Sequence, residues 1–447
     1  MLNKERVLSL VRSQNYEQLL LLLDEYNSFS IVEAIEELTI EDLINILINT
    51  PKSISADVFA NLSDDIKIEM FNSVEKPAIE KLLENLFTDD IIEVLQDLPN
   101  SRVNYLLENV DINIQLDIKK LLKYAPETAG SIMTIDYIEL LENDSFTVAL
   151  DKVKRQGRVA EIITDCYVLD DNHLLTGKIK LKDLLFGQAE DHVIDKMETS
   201  LISVNVDDDQ TDVLELMQKY DLHVIPVVDN NQQIIGIITI DDIIDVMEQE
   251  VTHDVHSMAG ITKVDGSYVD TSILEMAKAR IPWLMIIMVT AFFTELVLDY
   301  FSMELALVPV LAAFIPMTMG TSGNAANQAT VMVVRGIAVD GLSIKDTLKI
   351  FMKESAVSFY LCIIMGLATF IRLIVLPPAI LLDIVLSISL STVISIYIGN
   401  VLGGLLPIVA LKLKQDPAAM AAPLVTNLMD ISSLLVYFVC AKLILGL

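Results

Sequence analysis

The sequence predicts a multidomain protein with three fold classes in succession. These are an all-α superhelical N domain, an α/β domain made of two repeats, and an all-α polytopic membrane domain of five transmembrane helices. The first observation is charge: of the net −32, residues 1–130 carry −13 and residues 131–278 carry −19, while residues 279–447 hold nine acids and nine bases. The second is that 53% of the 447 residues are hydrophobic, which is high for a soluble protein. We therefore expect an acidic soluble part followed by a membrane part.

The charge and several absent motifs exclude whole classes of function. A strongly negative soluble part repels nucleic acid and anionic lipid, so cations are the expected ligands and nucleic acid is not a partner. The sequence lacks a G-x-x-x-x-G-K-[ST] loop, and its five histidines all precede the membrane part, so we expect neither ATP-driven transport nor an intramembrane protease, and no enzyme. Its three cysteines lack metal-ligand spacing. The first 13 residues lack the apolar run of a signal peptide, so we expect the N-terminal half to stay in the cytosol.

A helix-capping pattern recurs within residues 1–130. Leu38-Thr39, Leu62-Ser63 and Phe87-Thr88 each place an apolar residue and a hydroxyl before two acids, at spacings of 24 and 25 residues. A Ser or Thr N-cap accepts hydrogen bonds from free amides of the first turn, and acids there favour the positive end of the helix dipole. The period predicts short helical hairpins stacked as a small solenoid. A plain helical bundle with similar caps is the alternative.

Two copies of one α/β unit follow, predicted over 131–192 and 193–250. Short β-branched runs alternate with helical segments, and equivalent residues are 59 apart. The pairs at this offset are Asp170 and Asp229, Gly177 and Gly236, and Asp183 and Asp242. The order of strand, turn with Asp, strand with Gly and capped acidic helix resembles a tandem pair of CBS domains. Such pairs usually act as regulatory sensors.

An acidic helix is predicted from Asp241 to Ala259. Its acids are Asp241, Asp242, Asp245, Glu248, Glu250 and Asp254. Several are three or four residues apart and share a face, so they repel one another unless a cation lies between them or water solvates them. A solvated helix face is the alternative. His253 and His256 beside Asp254 could hold a soft metal, or they are ordinary exposed polar residues.

Apolar runs of about 20 residues predict the membrane helices. The predicted spans are 281–302, 305–334, 355–376, 384–411 and 418–445. Basic residues precede the first span and follow the second and fourth, whereas Asp299 and Glu304 lie at the connection between the first and second spans. By the positive-inside rule the N-terminus is cytosolic and the C-terminus lies outside the cell membrane.

The second span contains a polar segment at membrane depth. Pro316 precedes Gly320-Thr321-Ser322-Gly323-Asn324 and Asn327-Gln328, so a continuous helix is not expected there. Broken backbone is tolerated in a bilayer where it is buried in protein or lines a watery cavity. We therefore expect this segment to face a pore or a substrate site. A Pro-kinked helix packed through small residues is the alternative.

A single acid lies deep in the fifth span. Asp430 is about 20 Å into that helix at ~1.5 Å per residue, and no basic residue falls between Ala418 and Val439. An intramembrane carboxylate marks a functional site by default, although a protonated Asp bonded to a neighbouring helix is the alternative. Asp416 is expected at the cytosolic mouth. An acidic chamber with one central carboxylate suits a hard divalent cation, and hydrated Mg²⁺ fits a wide pore.

Together these features resemble the MgtE family of magnesium channels over nearly the whole chain. The matching motifs are Pro316 with Gly320-Thr321-Ser322-Gly323-Asn324 through Asn327-Gln328, Arg335-Gly336, Asp416-Pro417-Ala418, and Pro423-Leu424-Val425 through Leu428-Met429-Asp430. The resemblance implies an acidic N domain, tandem CBS domains, a connecting plug helix over 251–278 and a membrane domain over 279–447, in a homodimer. It implies a pore at the dimer axis where Asp430 holds hydrated Mg²⁺, and closure by cytosolic Mg²⁺.

The resemblance also assigns site residues. The implied pore residues are Asp430, Asn324, Asn327 and Asp416. The implied regulatory Mg²⁺ ligands are Asp89, Glu93, Asp221, Asp242, Asp245, Glu250 and Asp254. Four positions depart from the family pattern. Ser322 and Ala326 stand where the family often has glycine, His253 stands where an acid is common, and Ala422 stands where an asparagine is common. Ser322 and Ala326 would reduce the space beside the backbone of the pore segment. His253 would weaken a regulatory site, and Ala422 would weaken a pore contact.

The leading hypothesis is a Mg²⁺-selective channel for passive uptake, closed by Mg²⁺ that bridges carboxylates between acidic surfaces. At low Mg²⁺ the negative charge drives these surfaces apart, and bound ions favour the compact state. Transport of Co²⁺, Mn²⁺ or Ni²⁺ is the alternative within the same class. From a different class, the CBS pair would sense ATP or another adenine nucleotide for a transporter of another solute. Nucleotide could equally tune a Mg²⁺ gate.

Overall fold

The computed structural model describes residues 4–262, 264, 268, 271–375, 380–418 and 422–447. The chain divides into two compact units, Met1–Glu248 and Gln249–Leu447. The first contains the helical and α/β domains, and the second contains the membrane helices. Each unit has apolar cores of its own.

The N domain is all-α, as predicted. The helices described before residue 122 are α1 (Lys4–Arg12), α2 (Tyr16–Leu23), α3 (Ser28–Ile35), α4 (Ile40–Ile48), α5 (Lys52–Ala60), α6 (Asp64–Ser73), α7 (Ala78–Glu84), α8 (Thr88–Gln96), α9 (Asn100–Leu107) and α10 (Ile112–Leu121). Apolar residues recur three or four apart, which gives each helix one apolar face. These faces meet in a continuous core, in which Leu19, Phe59 and Leu106 are fully buried.

The predicted caps are confirmed in part. Thr39 caps α4, because its Oγ1 accepts a hydrogen bond from the Asp42 amide at 3.2 Å. The prediction that Thr88 caps α8 is wrong: the N-cap is Phe87 and Thr88 is the first helical residue. The Thr88 hydroxyl instead donates to Asp136 Oδ2 at 2.8 Å. A bond to a carboxylate is stronger than one to a neutral partner, which explains why the hydroxyl turns to it.

The α/β domain contains two three-stranded sheets of identical topology. The strands are β1 (Glu139–Leu141), β2 (Asp165–Leu169) and β3 (Leu175–Lys180), then β4 (Val204–Asn205), β5 (Val224–Val228) and β6 (Ile234–Thr239). In each sheet the first pair is parallel and the second antiparallel. The helices are α11 (Phe146–Gln156), α12 (Leu181–Phe186), α13 (Val193–Lys196), α14 (Gln210–Tyr220) and α15 (Ile240–Met258). Tyr167 pairs with Lys178, and Pro226 with Ile237, which confirms the repeat at an offset of 59.

The two repeats exchange a methionine each. Met197, which opens the second copy, packs on Gly177 of the first, and Met133, which opens the first copy, packs on Gly236 of the second. A Cβ atom at Gly177 would lie 2.8 Å from Met197 Sδ, and one at Gly236 would lie 2.7 Å from Met133 Sδ. Glycine is therefore required at both positions by the close approach of the other repeat.

Short backbone bridges extend this exchange. Thr134 and Ile237 exchange two hydrogen bonds of 2.9 Å, and Glu198 and Lys178 exchange equivalent bonds of 2.8 and 3.0 Å. The repeats thus meet at two equivalent places. We call the place around Thr134 and Ile237 junction A, and the place around Glu198 and Lys178 junction B.

The second unit is a bundle of long helices. They are α16 (Ile273–Tyr300), α17 (Ser302–Leu307), α18 (Ile315–Asp340), α19 (Thr347–Val375), α20 (Leu382–Lys412) and α21 (Ala422–Leu445). Among the described residues, four stretches are helical, long and apolar enough to cross a membrane: Ile273–Tyr300, Ile344–Val375, Leu382–Lys412 and Leu424–Leu445. Helix α18 has 26 residues, about 39 Å at ~1.5 Å per residue, but it is more polar than these. A fifth span therefore stays a prediction.

The prediction of a helix break in the second span is wrong, because α18 is continuous from Ile315 to Asp340. Pro316 lies in its first turn, where a missing amide N–H and a fixed φ fit a helix. Gly320 and Gly323 stay helical in a helix that packs on both α20 and α21. The irregular backbone lies upstream, in a 3₁₀ segment over Pro309–Phe314.

The predicted connecting helix differs in extent from the helix observed. Helix α15 runs without interruption from the end of β6 to Met258, and α16 begins at Ile273. Residues 263, 265–267 and 269–270 of the predicted helix lie outside the described residues, as do 376 and 419–421 of the third and fifth predicted spans.

Candidate functional site

Three acids from separate segments meet in the first unit. Asp89 lies in α8, Glu161 in the loop before β2, and Asp242 in the first turn of α15. One carboxylate oxygen of each lies within 4.8 Å of the others. Over the described residues, this is the one group of three potential metal ligands that meets this distance. We call Asp89, Glu161 and Asp242 the acidic triad.

Local hydrogen bonds position the triad. Asp136 accepts from Thr88 next to Asp89, and its backbone oxygen accepts from the Glu161 amide at 2.8 Å. One residue therefore orders two members of the triad. The third is held by its own helix start, since Asp242 Oδ2 accepts from Thr239 Oγ1 at 2.6 Å and from the Thr239 amide at 3.2 Å.

Burial makes the triad electrostatically unfavourable without a cation. Loss of water and repulsion between the carboxylates raise the pKa of Glu161 to about 8 and hold the pKa of Asp89 well above its usual range. Burial likewise raises the pKa of Asp242 to about 6. Asp89 Oδ1 and Glu161 Oε2 are buried without a hydrogen-bond partner among the described residues, a state that costs free energy. Oxygen ligands of this kind fit a hard divalent cation such as Mg²⁺ or Ca²⁺.

Further acids flank the triad on the same two helices. Burial, together with nearby acids, raises the pKa of Asp90 to about 7, against the opposing effect of Lys67. Burial and the Glu93 carboxylate raise the pKa of Asp245. The predicted ligands Glu93 and Asp245 therefore lie close enough for their charges to interact, beside the predicted ligands Asp89 and Asp242.

Two other predicted ligands lie elsewhere. Asp221 ends α14 with a left-handed φ of 51° and is exposed. Glu250 lies on α15, beyond the end of the first unit. The three-residue group that the described chain forms contains neither of them, so their role as ligands stays a prediction.

Sequence reasoning missed Glu161. Its signal was an acid in the loop before the middle strand of each repeat: Glu161 precedes β2 by four residues, and Asp221 precedes β5 by three. At the offset of 59, however, Glu161 corresponds to Tyr220 and not to Asp221, so the repeat gave only an approximate signal for Glu161. The contact with Asp89 could not be read from the repeat, because it depends on how the N domain packs on the α/β domain.

Three of the four predicted pore residues, Asn324, Asn327 and Asp430, lie on two neighbouring helices. Asn327 of α18 donates from Nδ2 to Thr426 Oγ1 of α21 at 3.1 Å. Asp430 lies four residues, one turn, after Thr426 and is half-buried, whereas Asn324 is exposed on α18. An acid and an amide are thus brought to adjoining faces of α18 and α21, while Asn324 points away from the bundle interior.

The departures at Ser322 and Ala326 have a structural explanation. Both residues are fully buried and face α20, on the side of α18 opposite Asn324. A Cβ at Gly399 of α20 would lie 2.7 Å from the Ser322 backbone oxygen, and one at Gly403 would lie 2.2 Å from that of Ala326. The glycines that allow α18 and α20 to pack closely are therefore Gly399 and Gly403 of α20, and not residues 322 and 326 of α18.

Two acids that the sequence predicts near the cytosolic mouth, Asp254 and Asp416, interact electrostatically. Asp416 follows α20, and its Oδ1 accepts from the Ala418 amide at 2.8 Å. Burial and then the negative charge of Asp416 raise the pKa of Asp254 near the end of α15, against the opposing effect of His253. Met258 of α15 packs on Val334 and Ala418. His253 and His256 join no three-ligand group within the part of the chain that the structure describes, so a soft-metal site has no support there.

Comparison with known proteins agrees with this architecture. A family model described as the divalent cation transporter MgtE matches residues 315–440, that of the MgtE intracellular N domain matches 26–127, and that of a CBS domain matches 191–249. The magnesium transporter MgtE of Thermus thermophilus is 30% identical over 427 residues, 95% of this chain and 94% of its own. The magnesium transporter MgtE of Bacillus subtilis is 29% identical over 433 residues, 97% of this chain and 95% of its own.

A solved structure extends the comparison to the fold. The crystal structure of the soluble part of a magnesium transporter matches with a TM-score of 0.51 and 28% identity, over 55% of this chain and 97% of that one. The similarity thus includes the helical domain, the CBS pair and the apolar helices of a multi-pass membrane protein. Because it extends over nearly the full length of both sequence relatives, the chain belongs to the MgtE family of divalent cation transporters.

Proposed function

We propose that the chain is a Mg²⁺-selective channel for passive uptake, assembled as a homodimer around Asp430. The observation that carries the proposal is this half-buried carboxylate on α21, one turn from the Thr426 that bonds Asn327 of α18. Mg²⁺ keeps several of its waters and binds through one or two carboxylates, so one Asp from each subunit with nearby polar groups suffices. The relatives named as magnesium transporters support the choice of ion.

The test is ion flux into liposomes that contain the purified full chain. We expect Asp430→Asn to abolish Mg²⁺ flux or its selectivity while the dimer still assembles, because an amide replaces the carboxylate poorly as a cation ligand. Asp299→Asn, an exposed acid at the end of α16, is the matched control and should conduct normally. Unchanged, Mg²⁺-selective flux in Asp430→Asn would contradict the proposal. Competition by Co²⁺, Mn²⁺ and Ni²⁺ in the same assay tests the alternative cargo.

Membrane topology completes this proposal. The N-terminus would lie in the cytosol and the C-terminus outside the membrane, because basic residues flank the cytosolic connections. Lys345, Lys349 and Lys353 precede the apolar part of α19, and Lys412 and Lys414 follow α20. Five crossings are needed for this arrangement, which makes α18 the polar helix inside the bundle.

We also propose that cytosolic Mg²⁺ closes the channel by binding the acidic triad. The unpaired oxygens of Asp89 and Glu161 support this role, since a cation gives them the partner that the described protein groups do not. Mg²⁺ would hold the N domain against α15, whereas in its absence the buried acids repel one another. The predicted ligands Asp221, Glu250 and Asp254 would act with neighbouring surfaces or with the second subunit.

Limited proteolysis of the full chain tests this regulation. Protection of the N domain should rise as Mg²⁺ is added, because a ligand that prefers one state shifts the population by its differential affinity. Glu161→Gln should require more Mg²⁺ than the wild type. K⁺ at matched ionic strength is the control. Equal protection by K⁺ would show that general screening, and not a specific site, is responsible.

Junction B favours a second ligand, an adenine nucleotide such as ATP. A cavity of about 190 Å³ there is lined by Lys178, Lys180, Lys182 and Lys196, with Asp183 and Glu198. Asp183 is the equivalent of Asp242 in the triad, yet its surroundings are basic. Lysines suit phosphate groups as point charges, and a carboxylate accepts hydrogen bonds from sugar hydroxyls.

Nucleotide binding is tested by calorimetry with ATP. The double variant Lys180→Gln, Lys182→Gln should lose ATP binding, while Lys154→Gln, an exposed lysine of α11, should keep it. Wild-type protein that binds no ATP, or a double variant that binds it unchanged, would remove nucleotide from this proposal without affecting Mg²⁺ transport.

A further inference from the structure

A buried lysine lies beside Asp90, Glu93 and Asp245, which together with the acidic triad we call the regulatory surface. Lys67 belongs to α6, and its side chain is 7% exposed. Lysine is rarely buried to this degree unless it is paired. Its Nζ lies 3.4 Å from Glu93 Oε2 on α8 and 5.7 Å from the centre of the Phe59 ring. The stem is therefore packed, and the ammonium group is held at one place.

The ammonium group faces acids of two helices. Its charge opposes the raised pKa of Asp90 on α8 and that of Asp245 on α15. It therefore acts on Asp90, Glu93 and Asp245, which come from both sides of the contact between the N domain and the second repeat. A positive charge at this place draws the two sides together.

The acidic triad differs from this group. Asp89 and Glu161 each hold a buried oxygen that lacks a partner among the described residues, whereas Glu93 has the Lys67 ammonium. The acids of this region thus form two groups. The acidic triad needs an added cation, whereas Asp90, Glu93 and Asp245 surround the Lys67 ammonium group. An ammonium is a compact charge with three donors and can replace one charge of a divalent ion, though not its six-fold coordination.

We propose that Lys67 is a built-in cation of the regulatory surface, which takes the place of one divalent ion and thereby sets the Mg²⁺ concentration at which the N domain closes on α15. This inference rests on the proposed regulation by Mg²⁺. Its physical basis is mass action. Neutralisation that the chain supplies itself does not have to come from bound Mg²⁺, so closure begins at a lower concentration and involves fewer ions.

The experiment titrates the full chain in lipid nanodiscs with Mg²⁺ and follows protection of the N domain from protease. Lys67→Met removes the charge and keeps an unbranched apolar stem beside Phe59. The midpoint should rise by about five-fold or more, and the dependence on Mg²⁺ should become steeper, because an additional ion is needed. Lys67→Arg keeps the charge and should stay near the wild type.

A matched control removes a charge of the same kind elsewhere. Lys152 of α11 is partly buried and pairs with Asp144 at 2.6 Å, so Lys152→Gln changes the net charge equally without touching the regulatory surface. Its midpoint should match that of the wild type. A comparable rise in Lys152→Gln would assign the effect to net charge and overturn the role of Lys67.

The remaining outcomes are separable. Lys67→Met with an unchanged or lower midpoint overturns the inference while leaving Mg²⁺ regulation intact. Wild-type protein without a Mg²⁺ response overturns the regulation itself. Thermal unfolding at saturating Mg²⁺ checks that Lys67→Met folds. If Lys67→Met does not fold, Lys67→Gln, which keeps a polar end group, takes its place in the titration.

Discussion

At the scale of single residues, the proposed regulation by Mg²⁺ depends on buried carboxylates, two of which have an oxygen without a hydrogen-bond partner among the described residues. In the triad, the carboxyl groups of Glu161 and Asp242 have pKa values raised to about 8 and about 6, and that of neighbouring Asp90 is raised to about 7, in each case first by burial. These groups bind a proton more readily in the folded protein than in the unfolded chain. A proton and a divalent cation therefore relieve the same repulsion.

The pH dependence follows from the sign of these shifts. Between about pH 4, the usual carboxyl value, and about pH 8, the folded state binds more protons than the unfolded state, so stability falls as pH rises through this range. Without Mg²⁺, the N domain should become more protease-resistant when the pH is lowered from 8 to 6. Saturating Mg²⁺ should reduce this dependence, because bound carboxylates are ionised. Protection that is independent of pH in Mg²⁺-free buffer would contradict the raised pKa values.

Sequence patterns located most of these residues but not their partners. Asp89 and Asp242 were predicted from the resemblance, whereas Glu161 was missed and Thr88 was given the wrong role. Both errors concern non-local contacts: Asp136 of the first repeat accepts hydrogen bonds from the Thr88 hydroxyl of the N domain and from the Glu161 amide of its own repeat. Such contacts join residues 48 and 25 positions apart, and local propensity carries no information about them.

At the scale of helices, the contact between α18 and α20 positions the predicted pore face. Gly399 and Gly403 let the two backbones approach closely, and Thr330 Oγ1 of α18 donates to the Gly403 oxygen at 2.9 Å. In a bilayer, helices associate through close packing and hydrogen bonds of this kind, since lipid is as apolar as a leucine side chain. The opposite face of α18 is thereby free to present Asn324.

A single methyl group tests this packing. Gly403→Ala places a Cβ 2.2 Å from the Ala326 oxygen, so the helices must separate, and we expect a loss of about 1–3 kcal/mol in stability. Gly320→Ala on α18 is the control, because its Cβ position has no neighbour within 4 Å in the described structure. It should be neutral or slightly stabilising, since alanine favours a helix over glycine by ~1 kcal/mol. Thermal unfolding of the purified protein in detergent compares the two; equal melting temperatures would show that the helices are not tightly packed there.

The sequence misled at α18 for a related reason. Gly320 and Gly323 weaken an isolated helix, and the predicted span also placed Pro316 inside the helix and not in its first turn, so local rules predicted a break. In the bundle, α18 packs on α20 and α21, and tertiary packing outweighs intrinsic propensity. The strands and helices of the two repeats were predictable because their pattern occurs twice at a fixed offset.

At the scale of the whole molecule, α15 carries acids that begin in the triad and end near Asp416. Asp242 belongs to the first turn of α15, and Asp254 lies near the end of the helix. Burial raises the pKa of Asp254, and the negative charge of Asp416 raises it further. One continuous helix thus carries both ends of the proposed regulatory path. In the proposed mechanism, Mg²⁺ ligands on this helix would include Asp254, whose carboxyl group lies near Asp416.

The triple variant Asp245→Asn, Glu250→Gln, Asp254→Asn tests this gate. If bridging Mg²⁺ holds α15 closed, the channel should stay open at high cytosolic Mg²⁺, because amides replace carboxylate ligands poorly. Single-channel open probability against cytosolic Mg²⁺ is the measurement. If charge repulsion alone opens the gate, the variant should be closed at every concentration, and that result would overturn the bridging mechanism.

The exchange of methionines between the repeats also fixes when the sensor is completed during synthesis. Met133 can pack on Gly236 only after Gly236 has been synthesised, so this contact of the first repeat forms only once most of the second repeat has been made. The first membrane helix begins at Ile273, 37 residues later, and at a translation rate of about 5–20 residues per second this interval lasts roughly two to seven seconds. Docking of the two repeats therefore becomes possible only shortly before α16 is made. A substitution at either glycine that slows docking would leave junctions A and B unformed at the moment of insertion, and it would lower the yield of inserted protein before it affects transport.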